Sequence, residues 1–360
     1  MDFVLEKVYA IKKEEIPQYA KHLMLGGGTR GGPVLKRGKG CWVEDIDGKR
    51  YIDCTSQSWA LYLGYANDEI NKIIWEHSQN LTHVHQGFDT LPRFALAKKL
   101  AQIAPEKLNR VSFTVGGGPA VEAGMKIAIK NREGAQEFIC LYDSYHGVTL
   151  GTMGASWVST MTSGRFIGGA RFNRVTRQFI RVPNPYCYRC PLELDPRSCE
   201  LMCLKLLRIT IEKGINGPTA AVILEPVQAS GGQVAALKLI DLLEKGVLQN
   251  CRDMGDYLGS ELNKLRGEFP QMGDVRQAGL HIGIEFVHDP VTKEPYGELL
   301  AEVRKVGFKN GIIFGVGGAA KNVLKIKPPL NITREETDEV LLRFRKSMID
   351  AIEAEGRNRK

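Results

Sequence analysis

The run Ser112-Phe113-Thr114-Val115-Gly116-Gly117-Gly118-Pro119-Ala120-Val121-Glu122-Ala123-Gly124-Met125-Lys126 constrains this chain more than any other. An apolar, strand-like stretch enters three glycines, and a helical pattern leaves them. That order brings bare backbone N–H groups and a helix N-terminus to one point, a ready-made anion site. Pro119 suits the first helical turn, because the N–H it lacks has no intrahelical partner there.

The rest of the chain repeats the alternation. Short apolar runs at 136–142, 178–182 and 219–225 alternate with helical patterns, which argues for βαβ units and a mainly parallel α/β sheet flanked by helices. Residues 68–80 and 91–104 carry apolar positions at helical spacing. Residues 1–35 read as a helix followed by a glycine-rich crossing at 26–33. Residues 40–53 read as a β-hairpin, with alternating apolar residues around the Asp47-Gly48 turn. Towards the C-terminus, 279–286 is strand-like, and 296–309 and 334–355 are amphipathic helices. Thr333 followed by Glu336 is a capping-box pattern. This mixed tail reads as a smaller α+β domain, and 360 residues suffice for two domains.

The net charge of +8 fits a basic surface. No basic face with interleaved aromatics marks a nucleic-acid site, and Arg357-Asn358-Arg359-Lys360 reads as a solvated tail. No apolar run reaches the roughly 18 residues of a membrane span. The N-terminus shows no basic, then apolar, secretory pattern, so a cytoplasmic location is expected. Cys41, Cys54, Cys140 and Cys251 sit among apolar neighbours and read as buried thiols. Cys187-x-x-Cys190 with Cys199-x-x-x-Cys203 has zinc-ligand spacing. Reduced thiols or a labile disulfide are the alternatives there.

Four further segments carry chemistry-bearing residues. Tyr142-Asp143-Ser144-Tyr145-His146-Gly147 puts an aromatic and an imidazole on a turn. Leu224-Glu225-Pro226-Val227-Gln228-Ala229-Ser230-Gly231-Gly232 puts a carboxylate at a strand's end, where α/β sheets place their chemistry. Asn322-Val323-Leu324-Lys325-Ile326-Lys327-Pro328-Pro329-Leu330 carries a lysine before a Pro-Pro-Leu stop. Ser56-Gln57-Ser58-Trp59 precedes Gly64-Tyr65. Each alone has a plain structural reading: a turn, a core aromatic or a solvated lysine.

Together with the glycine loop they resemble the class III aminotransferases, which use pyridoxal phosphate and have fold type I. The resemblance implies a large cofactor-binding α/β domain at 66–233 and a small domain built from 1–65 and 234–360. It implies that Gly116, Gly117 and Gly118 hold the cofactor phosphate and that Tyr145 stacks its ring beside His146. Glu225 would be the catalytic carboxylate. Gln57, Ser58, Trp59, Ser230 and Lys325 would face a substrate. The implied reaction is amino-group transfer between an amino acid or amine and a keto acid, in a homodimer or larger assembly. Racemisation or epimerisation, dialkylglycine-type decarboxylation and ammonia elimination use the same scaffold and stay open.

Four departures matter. The family's loop carries a serine or threonine, and a glutamate where Pro119 stands. Its Gly-His-x-His-Pro turn is Gly64-Tyr65-Ala66-Asn67-Asp68 here. Its substrate-binding arginine is Lys325, a point charge without a bidentate fork. Most important, the family carries several dozen more residues between the positions of Gln233 and Val234. They hold the lysine that joins the cofactor, the aspartate beside the ring nitrogen, and strands of the sheet. Val234–Asp241 resembles the helix that enters the small domain. Either a segment of the polypeptide is not included in this sequence, or the deletion is genuine and the chain is a non-catalytic relative that acts by binding.

Overall fold

The computed structural model describes residues 2–23, 32–85, 87–105, 108–156, 178–229, 234–235 and 247–358. Three strands, β4 (Glu137–Leu141), β5 (Phe179–Val182) and β6 (Thr219–Ile223), form a parallel sheet in the order β5-β4-β6. The helix Gly117–Lys130 packs on it. Phe138, Cys140, Met125, Phe179 and Ala155 make a small core between them. Ile139 is also fully buried, so β4 is covered on both faces, as a central parallel strand must be.

A larger core lies under two other sheets. In the first, β1 (Leu35–Lys39), β2 (Trp42–Asp45) and β3 (Arg50–Asp53) are antiparallel, and β11 (Ile312–Ile313) adds parallel to β3. The Asp47-Gly48 turn joins β2 to β3, with Gly48 at φ +79. The β3–β11 pairing joins residues near the two ends of the chain. The second sheet runs β12 (Gly315–Gly317), β13 (Val323–Ile326), β10 (His281–Phe286), β9 (Met272–Ala278), antiparallel throughout. Ile282, Ile284, Leu324 and Ile326 face the core formed with helices Val247–Leu265, Gly297–Lys309 and Arg334–Asn358. The last helix opens on the expected capping box: the Thr333 hydroxyl accepts from the Glu336 N–H, and Glu336 accepts from the Thr333 N–H.

Three sequence expectations need correction. Ser112–Val115 is not a strand; it pairs with no described strand, and Val115 is 99% exposed. Apolar alternation makes a strand only where a ladder partner accepts its hydrogen bonds. Val234 does not begin a helix: Val234–Ala235 (β8) pairs antiparallel with Val227–Gln228 (β7). The described helix of that region starts at Val247. Cys251 is only partly buried, and its thiol sulfur accepts a hydrogen bond from the Leu280 N–H. The glycine-rich crossing falls mostly outside the described residues.

Helices Asp68–Ser78 and Leu91–Ile103 contain no buried residue among those described. Ile73, Ile74, Trp75 and Phe94 are all more than half exposed. No helix among the described residues is long and apolar enough to cross a membrane.

Candidate active site

Gly116 caps the helix Gly117–Lys130, and its carbonyl accepts the Ala120 N–H. The N–H groups of Gly117 and Gly118, in the first turn, have no intrahelical acceptor and face outward as donors. Gly118 is required by a close approach: a Cβ there would lie 2.7 Å from Thr149 Cγ2. Gly147, at φ +127, brings its own backbone against Gly118, and a Cβ on it would lie 3.0 Å from Gly118 Cα. The glycine loop and the Tyr145-His146-Gly147 turn therefore pack against each other.

Two hydroxyls that the sequence reading missed stand beside the loop. Thr114 Oγ1 donates to the Gly116 carbonyl at 3.1 Å. Thr149 lies over Gly118 and is fixed by Glu122 and Thr152. The signal was weak, because Thr149 joins the loop only through tertiary packing.

Glu225 follows β6 and faces the same turn. The Tyr145 N–H donates to Glu225 Oε2 at 2.7 Å. Burial pushes the Glu225 carboxyl up to about 7, against the pull of the Tyr145 and Ala229 N–H groups and of Lys325. The Tyr145 ring is 41% exposed and open to a flat partner. His146 is 9% exposed, its Nε2 has no hydrogen-bond partner among the described residues, and burial pulls its pKa down to about 4. It is therefore neutral at physiological pH, with one ring nitrogen unspent.

Behind these residues runs a network that the motifs did not reveal. Asn184, beyond β5, donates to Gln228 at 2.9 Å and to Asp143 at 3.2 Å, and Gln228 donates to the Tyr142 carbonyl at 2.8 Å. These bonds tie together the C-terminal ends of β4, β5 and β6, where α/β sheets carry their sites.

A second set of bonds joins the Ser56 segment to the residue that follows β13. The Ser56 hydroxyl donates to the Lys327 carbonyl, and the Lys327 N–H donates to the Cys54 carbonyl. Ser56, Gln57 and Ser58 all have φ between +43 and +61. Three successive non-glycine residues in the left-handed region mark stored strain of a kind found at functional sites. Gln57 is aimed by Tyr65, whose hydroxyl accepts from Gln57 Nε2 at 2.6 Å and donates to Asp53 at 2.8 Å. Tyr65 thus gives the departed turn a structural purpose. The Trp59 side chain and Ser230 lie outside the described residues.

Cys187, Cys190, Cys199 and Cys203 line a common cavity of about 20 Å³. All four are free, and no group of three or more His, Cys, Asp or Glu among the described residues is arranged to hold a metal. Their loop docks elsewhere: Arg189 and Tyr186 both reach Glu285 on β10, which also pairs with Arg276 at 2.9 Å.

A pyridoxal phosphate group fits part of this arrangement. The helix N-terminus with its glycine cradle suits a phosphate, and the unpartnered His146 nitrogen and the open Tyr145 ring suit a heteroaromatic ring. The lysine and ring-nitrogen carboxylate implied for such a site have no matching positions in this chain.

The sequence model "Aminotransferase class-III" matches residues 29–240 and 233–348, two matches that meet where the resemblance placed the break. An adenosylmethionine-8-amino-7-oxononanoate aminotransferase of Geobacter sulfurreducens is 33% identical over 231 residues, 62% of this chain and only 48% of that enzyme. A leucine/methionine racemase of Thermococcus litoralis is 24% identical over 438 residues, 95% of this chain and 96% of that protein. That alignment is longer than the chain itself, so a segment of the racemase has no counterpart here. Among solved structures, the omega transaminase from Pseudomonas jessenii in complex with PMP superposes with a TM-score of 0.82 at 19% identity, covering 96% of this chain and 99% of that one. The fold is thus that of the fold type I transaminases.

Proposed function

The chain belongs to the class-III aminotransferases, and from that premise we propose that it transfers an amino group between an amino acid or amine and a keto acid, using pyridoxal phosphate. The observation that carries this reading is the cradle of Gly116–Gly118 against the Tyr145-His146-Gly147 turn, with Glu225 bonded to that turn. Pyridoxal phosphate supplies an electron sink for a substrate's α-carbon. The chain's own residues bind and orient. The Gly117 and Gly118 N–H groups would hold the phosphate, and Tyr145 would stack on the ring. Neutral His146 accepts or donates one hydrogen bond without adding charge. Glu225 can hold a proton near neutral pH and release it without a large rearrangement. Gln57 and Ser58 line the substrate side, with Trp59 and Ser230 proposed beside them.

Lys325 suits its implied role least. A carboxylate needs a cation, and Lys325 is driven towards neutrality, as described below. We infer a substrate less dependent on a bound carboxylate, such as an amine. The 1–65, 66–233 and 234–360 division belongs to this reading and is supported by the β3–β11 pairing. So does a second copy of the chain: the exposed Ile70, Ile73 and Ile74 form an apolar strip along one helix that association would cover. All eight cysteines are free, which suits a reducing compartment such as the cytoplasm.

The test is a spectroscopic titration of the purified polypeptide, its intact mass measured first, with pyridoxal phosphate and then with amino donors. Saturable binding followed by a donor-dependent spectral change and keto-acid formation is expected. Binding without any donor response would leave a non-catalytic relative. The racemase match over nearly the whole chain favours a second reading, to be checked by following interconversion of L- and D-amino acids in deuterated water.

A further inference from the structure

Lys325 occupies an unusual place. It lies on β13, between β12 and β10, and its cross-strand neighbours are Gly315 on one side and Gly283 on the other. Neither contributes a side chain. A Cβ built on Gly315 would lie 3.2 Å from Lys325 Cβ and 3.5 Å from its Cε, so the lysine stem runs along the strip that the glycine leaves open. Leu324 and Ile326 point into the core, so Lys325 points from the opposite face. No hydrogen bond or ion pair with another described residue reaches its Nζ.

The charges around it come from several elements. Glu225, from the parallel sheet, favours the ammonium form. Lys327, just beyond the same strand, and Arg304 on helix Gly297–Lys309 oppose it. His281 on β10 is held neutral by burial and by these same two lysines. Arg304 is anchored nearby, donating to the Phe314 carbonyl next to Gly315. A part-buried lysine set among other cations is the arrangement that turns an ammonium into a nucleophilic amine.

We propose that Lys325 is an imine-forming amine of this site, taking the carbonyl carbon of a small aldehyde or 2-oxo acid. The Nζ lone pair attacks the carbonyl carbon, and the C=O π pair moves to oxygen, which takes a proton. The carbinolamine oxygen takes a second proton, for which Glu225 is the site's donor near neutral pH, and leaves as water. Nζ releases its two protons in the course of the two steps, and a C=N bond remains. Amine and carbonyl become imine and water, with nothing oxidised or reduced. Burial, helped by Lys327, lowers the Lys325 pKa to about 7, so its free amine is abundant at physiological pH. The inference rests on the site described above and not on transamination.

The experiment is reductive trapping with glyoxylate and sodium cyanoborohydride on the full polypeptide, with peptide mass mapping of carboxymethylated lysines. At pH 7.5 Lys325 should react roughly tenfold or more faster than exposed Lys72 and Lys321, because a lowered pKa enlarges its free-amine fraction. Its rate should rise through a midpoint near pH 7. Lys327→Met should move that midpoint downward less far from the ordinary lysine value, that is, to higher pH, which a purely structural lysine would not show. Lys325 reacting no faster than exposed lysines, or only as pH nears that of an ordinary amine, overturns the proposal. Trapping at Lys325 without a donor response upholds this inference and defeats the transaminase reading; the reverse pair of results does the opposite.

Discussion

The Tyr145 backbone N–H donates to Glu225 Oε2 at 2.7 Å, joining residues 80 positions apart. It ties the end of β6 to the turn after β4, and it leaves the carboxyl buried enough for its pKa to rise to about 7. Folded Glu225 thus binds its proton more tightly than the unfolded chain does. Its burial costs nothing below about pH 4, costs progressively more as pH rises to 7, and then stays constant.

Glu225→Gln keeps an oxygen for the Tyr145 N–H and removes the titration. The variant should be more stable than the parent by about 3 kcal/mol at pH 8 and equal to it near pH 4. Urea denaturation at the two pH values measures this. A stability difference that is the same at both would show that Glu225 does not titrate as described.

His146 has the opposite sign. Burial lowers its pKa to about 4, so the unfolded chain binds the proton first, and stability falls as pH drops from about 6.5 towards 4. His146→Asn should remove that slope, the parent losing up to about 3 kcal/mol relative to the variant across the window. Thermal unfolding at pH 6.5 and pH 4.5 is the check.

Gly118→Ala would gain helix propensity on an isolated helix, by about 1 kcal/mol. Here the new methyl meets Thr149 Cγ2, and the net effect should be a loss of about 1–3 kcal/mol with weaker phosphate binding. Thr149→Ser deletes the opposing methyl while keeping the hydroxyl on Glu122. The double variant should therefore recover most of the loss. Additive losses in the double-mutant cycle would mean that the two residues do not meet.

Glu285 is 1% exposed and pairs with Arg189 and Arg276 while accepting from Tyr186. Glu285→Gln leaves the partly buried Arg189 guanidinium without its counter-charge and Arg276 with Asp274 alone, a loss of about 3 kcal/mol. Because Arg189 sits within the Cys187–Cys203 loop, thiol labelling of Cys190 should accelerate in the variant. Unchanged labelling would separate the loop's order from this ion pair.

Much of the site was readable in the chain. The glycine loop, the aromatic turn and the Glu225 strand end were named from short motifs, and the structure brings Gly118, Tyr145 and Glu225 together. Gln57 and Ser58 were named, but their left-handed backbone was not, because nothing in Ser-Gln-Ser favours it locally; Tyr65 and the Lys327 carbonyl hold it there. Thr149, Asn184 and Gln228 escaped because each acts through a partner far along the sequence.

What the sequence by itself determined are features settled among near neighbours: the Asp47-Gly48 hairpin, the Thr333–Glu336 cap, and a helix that begins at three glycines. Turn conformation and helix capping involve only a few consecutive residues, so local chemistry suffices. Whether Ser112–Val115 becomes a strand, and whether Lys325 carries a charge, depended on tertiary structure alone. A strand exists only with a partner to complete its ladder, and an ammonium keeps its proton only as far as surrounding water and charge allow. For Lys325 those surroundings are Gly283, Gly315, Lys327 and Glu225, brought together from three strands and the end of a fourth.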